Sequence, residues 1–196
     1  MLKKISTLYL VILTALFLTG CGVNNIPTYD EAVTAAWSQV QNQYKRRADL
    51  VPNLVNTVKG YAAHEEEVLI EVVEARSKVS QMQLPADVLN NPEAFRAFQQ
   101  NQDALSSALS RLLVVVERYP DLKASQNFLA LQSQLEGTEN RISVARRDYI
   151  AAVQLYNTEL RTIPGRWWKS VLYPESVLKE NFTATPEVEL VPEVNF

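Results

Sequence analysis

His64-Glu65-Glu66-Glu67 carries the donor types of a metal site, and His64 is the only histidine in the chain. A zinc-protease helix needs a second histidine four residues after the first, so that both imidazoles share a face. That position here is Val68. Three consecutive carboxylates fan out around a helix, so the run reads as a solvated face, and pH sensing by His64 stays open on the slender support of one titrating group. A serine or threonine nucleophile would lack a base, since no Gly-x-Ser-x-Gly motif occurs. The 5 Gly are scattered singly and build no phosphate-cradling loop. A lone histidine also excludes the paired Glu-x-x-His sites of di-iron bundles. No metal and no cofactor is expected. Acid–base chemistry by carboxylates alone, for example Glu65 or Glu139, stays open as a rival, and it requires two carboxyls in environments that push their proton affinities apart.

Two basic clusters are the other candidates, Lys45-Arg46-Arg47 and Arg146-Arg147. One role is docking to anionic headgroups or to an acidic partner. The favoured expectation is pairing with Asp49, Glu136, Glu139 and Asp148, because successive helical residues point about 100° apart and neither cluster presents all its charge in one direction. Trp167-Trp168 could lie at a membrane interface or fold back over the open end of a helical bundle.

Whatever these residues do, a packed domain must position them. The chain has 196 residues with 47% hydrophobic and 21% charged content, which excludes disordered and collagenous classes and suits a single core. The formal charge of -3 gives no basic surface for nucleic acid. The single cysteine, Cys21, cannot form an internal disulfide.

Cys21 has a different use. Lys3 and Lys4 precede an apolar run from Leu8 to Leu18, which falls short of the roughly 20 residues that a spanning helix needs. Leu18-Thr19-Gly20-Cys21 follows and looks like a bacterial lipobox, where cleavage leaves an acylated cysteine. Cys21 is therefore the expected lipid-attachment site, with residues 1–20 a signal peptide and 21–28 a tether. Removal of Lys3 and Lys4 takes the charge from -3 to -5. One acyl chain anchors marginally, whereas several hold stably. Gly22 after the cysteine favours an outer-membrane destination in an organism with two membranes, with the domain outside the cytoplasm.

From Tyr29 to Ile163 the periodicity is helical. Val33, Trp37, Val40, Tyr44, Ala48, Val51, Val55, Val58 and Ala62 step by fours and threes, with an extra four-residue step at Tyr44–Ala48. Asp49 and Pro52 then suggest a kink or break, and Gly60 is the rival break point. Val68, Val72, Ala75, Val79 and Met82 form a further stripe before Pro85. Asn91 and Pro92 read as the cap and first position of the next helix. Its seam is Phe95, Phe98, Gln102, Leu105, Leu109, Leu112, Val116 and Tyr119, ended by Pro120. The last seam runs Phe128, Leu131, Leu135, Thr138, Ile142, Ala145, Tyr149, Ala152, Tyr156, Glu159 and Ile163, and Pro164-Gly165 stops it. Such seams need partners. The expected architecture is all-α: an antiparallel four-helix bundle over 29–163, followed by an apolar helical turn and an extended tail over 164–196.

These residues resemble the LemA family of bacterial helical envelope proteins. The resemblance lies in Ala36-Trp37-Ser38-Gln39-Val40, in the run from Lys45 to Val55, in Thr57-Val58-Lys59-Gly60-Tyr61 and in His64-Glu65. It continues through Arg111-Leu112-Leu113, Val116 to Ala124, Asn127-Phe128, Thr138 to Ile142 and Ala145-Arg146-Arg147-Asp148-Tyr149, covering essentially the whole mature chain. It implies a four-helix bundle tethered to a membrane and implies no reaction. Two departures stand out: a lipobox replaces the uncleaved N-terminal helix of many members, and Ile150 stands where the family pattern usually has Asn.

The expectation is thus a non-enzymatic envelope lipoprotein, attached to a membrane through Cys21. It would act as a scaffold or adaptor for an envelope protein partner and not for nucleic acid. The carboxylate enzyme and a lipid or haem carrier using the bundle core are the rivals. Large seam residues such as Phe95, Phe98, Tyr149 and Tyr156 argue against a hollow core.

Overall fold

The structure is a computed structural model that describes residues 22–183. Among the described residues six helices occur in chain order: α1 (Asn25–Lys59), α2 (Glu66–Gln81), α3 (Pro92–Val116), α4 (Pro120–Lys123), α5 (Gln126–Arg161) and α6 (Gly165–Val171), with a 3₁₀ turn at Val88–Asn90. No strand occurs among the described residues. The protein is an all-α helical bundle. It comprises two compact units, one from 36–150 with 180–183 and the other from 22–35 with 151–179.

In the larger unit, segments of α1 and α5 join α2 and α3 around a core that includes Val51, Val58, Val72, Leu105, Leu112, Phe128 and Leu135. All nine seam positions expected in the first helix are buried. So is the α3 seam except Tyr119, which is half-buried. Arg111 bridges to Glu71 and Asn101 Nδ2 lies 3.6 Å from Met82 Sδ, so α2 and α3 run antiparallel. Asn91 caps α3 as expected, its Oδ1 accepting from the backbone N–H groups of Glu93 and Ala94 at 3.1 Å.

Two expectations need correction. The first helix neither breaks at Asp49 nor stops at Pro52: α1 carries Pro52 in its interior and ends at Lys59, before Gly60. A proline there removes the N–H that would bond the carbonyl four residues earlier, that of Ala48. Arg76 on α2 supplies the missing donor, with Nε 3.1 Å from Ala48 O. The step at Tyr44–Ala48 is also not an irregularity. Val33, Trp37, Val40, Tyr44, Arg47, Val51, Leu54 and Val58 form an unbroken four-three repeat, all buried, with an arginine in one core position.

In the smaller unit, Ile26, Val33, Val153, Tyr156 and Leu160 are buried. The seam leaves the expected line here, because Leu160 is inside and Ile163 is 64% exposed. Gly22 has φ 88°, a left-handed conformation that favours glycine. A Cβ on Gly165 would stand 2.2 Å from the Glu159 carbonyl oxygen, so only glycine lets α6 begin there. Asn157 holds the chain after α6 in two directions: its Nδ2 donates to Lys179 O, and its Oδ1 accepts from Lys179 N–H, both at 2.9 Å. Lys179 Nζ lies 2.8 Å from Asp30 Oδ1 and sits over the Tyr156 ring.

Candidate interaction site

Arg47 is 1% exposed and occupies the centre of the larger unit's polar contacts. Its Nη1 donates to Ser106 Oγ at 2.6 Å and to Glu139 Oε1 at 3.0 Å. Its Nη2 donates to the backbone oxygen and to Oε1 of Gln102 at 3.0 and 2.8 Å. The guanidinium also lies 5.0 Å from the Tyr44 ring centroid. Residues of α1, α3 and α5 thus converge on one charge, and the Glu139 side chain is 43% exposed at the rim. Burial raises the Tyr44 hydroxyl pKa, opposed by the nearby Arg146 and Arg47 charges. The expected pairing therefore holds for Arg47 with Glu139, and Arg47 presents no surface. Glu136 instead accepts from Gln132.

The neighbouring cations face outward. Lys45 and Arg46 are exposed. Lys45 lines an open cleft of about 370 Å³ together with Tyr44, Asp49, Arg76, Ser80 and Gln102. Arg147 pairs with its neighbour Asp148 at 3.3 Å, both exposed. Arg146 lies over the Phe182 ring at 4.3 Å.

Phe182 is the participant that sequence reasoning missed. It lay in a segment read only as an extended tail, and the one available signal was an aromatic residue in the polar run Lys-Glu-Asn-Phe. Its ring joins Trp37, Phe95 and Tyr149, with Phe98 and Tyr44 adjoining, at centroid separations of 5.0–6.4 Å. The backbone there is pinned three times: Glu180 N–H donates to Leu89 O, Tyr149 Oη to Glu180 O, and Gln99 Nε2 to Thr183 O, each at 2.7 Å. Burial pushes the Tyr149 hydroxyl well above the ordinary tyrosine range.

The acidic run divides. Glu66 and Glu67 are exposed, as expected of a solvated face, but Glu65 is not. Its Oε1 accepts from Arg118 at 2.9 Å and from Tyr119 Oη at 2.8 Å, and this bond raises the Tyr119 pKa. His64 is exposed. No group of acidic, histidine or cysteine side chains that could hold a metal ion occurs among the described residues.

In the smaller unit Trp167 is 60% exposed and Trp168 half-buried. Cys21 and the tail from 184 onward lie outside the described residues. No helix among the described residues is long and apolar enough to cross a membrane.

Fold and site together define a helical bundle protein with one buried arginine, paired to a half-exposed glutamate, and basic residues at its surface. The LemA family model matches residues 36–196, and the chain belongs to the LemA family. It is 27% identical to magnetosome protein MamQ 2 of Paramagnetospirillum magneticum over 160 residues, covering 74% of this chain and 59% of that protein. It is 25% identical to protein LemA of Metamycoplasma hominis over 139 residues, covering 71% and 59% of the two chains. A third relative is magnetosome protein MamQ of Magnetospirillum gryphiswaldense, at 24% identity with 72% and 58% covered. The chain spans less than two thirds of the length of these relatives.

Proposed function

We propose that this protein is a membrane-associated envelope lipoprotein, held by an acylated Cys21, whose helical domain serves as a non-enzymatic scaffold or adaptor for another envelope protein. The observation that carries this reading is the commitment of the two candidate acid–base carboxylates to structure. Glu139 holds buried Arg47, and Glu65 holds Arg118 with Tyr119. Membership of the LemA family, a family without assigned chemistry, supports it, as does the lipobox Leu18-Thr19-Gly20-Cys21. The filled aromatic cluster around Phe182 speaks against a ligand carrier. Exposed Lys45 and Arg46, beside the cleft, are the proposed contact for an acidic partner surface.

Two measurements test this. A Cys21→Ser chain should lose a metabolically incorporated clickable fatty acid and move to the soluble or unprocessed fraction. Persistence as a mature-sized membrane protein would refute lipid attachment. In-cell crosslinking from a photoreactive residue at position 46 should give a discrete adduct that Lys45→Glu abolishes. An adduct unchanged by that charge reversal removes the cleft from the contact.

A further inference from the structure

We propose that the turn spanning 160–174 is a second membrane contact, an amphipathic patch that lies on an anionic lipid surface beside the Cys21 anchor. The inference rests on the tethering reading and adds a lipid class and an orientation to it.

The stretch from Leu160 to Pro174 contains Arg161, Arg166 and Lys169 and no acidic residue. Among the described residues none of the three pairs with a carboxylate. The flanking acids are Glu159, whose Oε1 accepts from Asn25, and exposed Glu175. Interleaved with the cations are four exposed apolar side chains, Ile163, Trp167, Val171 and Leu172, and Val171 is 73% exposed. Trp167 and Val171 are four residues apart on α6 and share a face. An open groove of about 660 Å³ runs beside them, with Ile163 and Trp167 contributing apolar wall and Arg166, Lys169 and Ser170 polar groups. Indole, aliphatic chain and ammonium or guanidinium in one patch match the layering of a bilayer interface, where the ring sits at headgroup depth and the cations meet phosphate.

Covalent geometry links patch and anchor. Cys21 is bonded to Gly22, and a Cβ placed on Gly22 would stand 3.7 Å from Pro164 Cγ, in the middle of the patch. Acyl chains on Cys21 therefore enter the membrane where Ile163 and Trp167 can follow. Three cations near an anionic surface strengthen adsorption by on the order of a hundredfold at low salt.

The test uses the mature lipidated chain in vesicles of phosphatidylcholine, with or without phosphatidylglycerol, and bromine-labelled lipid as quencher of tryptophan emission. Quenching is expected in the phosphatidylglycerol vesicles, and it should fall several-fold in Trp167→Phe, in Arg166→Ala/Lys169→Ala and in pure phosphatidylcholine, with unchanged circular dichroism. Equal quenching of wild type and Trp167→Phe would overturn the proposal. So would protection of Trp167 from iodide without vesicles, which would mean that a second copy covers the patch. Mass spectrometry of the same samples separates the two readings: acylated Cys21 with unquenched Trp167 sinks the patch alone, and bare Cys21 with quenched Trp167 sinks the anchor alone.

Discussion

Arg47 pairs with Glu139 as expected, yet it parts from its two neighbours in burial. Lys45-Arg46-Arg47 looks like one patch, yet its last member is buried and its first two are exposed. The distinction was available in the spacing, since Tyr44, Arg47 and Val51 continue the four-three repeat. The sequence names Glu139 as a partner but not Ser106 and Gln102, which complete the set that makes the burial tolerable. Breaking a buried, hydrogen-bonded charge costs roughly 3–5 kcal/mol. Arg47→Ala should lower urea-unfolding stability by about that amount. Arg47→Lys should recover only part of it, since an ammonium cannot reproduce the two-armed fork. Glu139→Gln leaves the buried guanidinium without its counter-charge but keeps an amide oxygen to accept from Nη1, so it should cost about 1–3 kcal/mol, less than Arg47→Ala. The buried tyrosines give a pH signature. Tyr44, Tyr149 and Tyr156 have hydroxyl pKa values raised above 10.0, chiefly by burial. A raised folded-state value means that the unfolded chain ionises first, so stability is full below pH 10 and falls as pH rises beyond it. The share of tyrosinate absorbance that a Tyr44→Phe/Tyr149→Phe/Tyr156→Phe chain lacks should appear only together with loss of helical circular dichroism, and its appearance before helix loss would contradict the burial.

At the level of elements, the sequence spoke clearly about seams and poorly about interruptions. The cap at Asn91 and the stop at Pro164-Gly165 are local chemistry and could be read directly, whereas local chemistry leaves Gly60 only a rival to Pro52 as the break. Pro52 inside α1 could not, because the donor that compensates it is Arg76, on another helix. Arg76→Ala strands the Ala48 carbonyl and should cost about 1–3 kcal/mol. Pro52→Ala restores an N–H within the helix to that carbonyl, so in this background the cost of Arg76→Ala should shrink markedly. A double-mutant cycle by chemical denaturation measures the difference, and strict additivity would show that the two residues are not coupled.

Across the molecule, each unit closes on the chain that follows α6. In one, Asn157 grips Lys179 from both sides; in the other, Phe182 completes an aromatic cluster. Neither was legible, since both depend on residues that carry no periodic pattern. Phe182→Ala should leave the helical content intact while amide exchange at 180–183 accelerates and proteolysis near Thr183 becomes faster; unchanged exchange would show that the three backbone bonds hold that segment alone. Gly165→Ala should weaken the smaller unit, because its methyl would meet the Glu159 carbonyl.

The buried guanidinium also decides which of several superficially equivalent zipperings the helices accept. Sliding α3 by seven residues would bring Phe95 or Leu109 opposite Arg47 in place of Gln102, leaving a cation facing hydrocarbon. Sliding α5 one way would substitute Arg146 for Glu139 and set two like charges together. Leucine-rich grooves alone would tolerate such slips, so this one arginine acts as the notch in a key that turns these misalignments away.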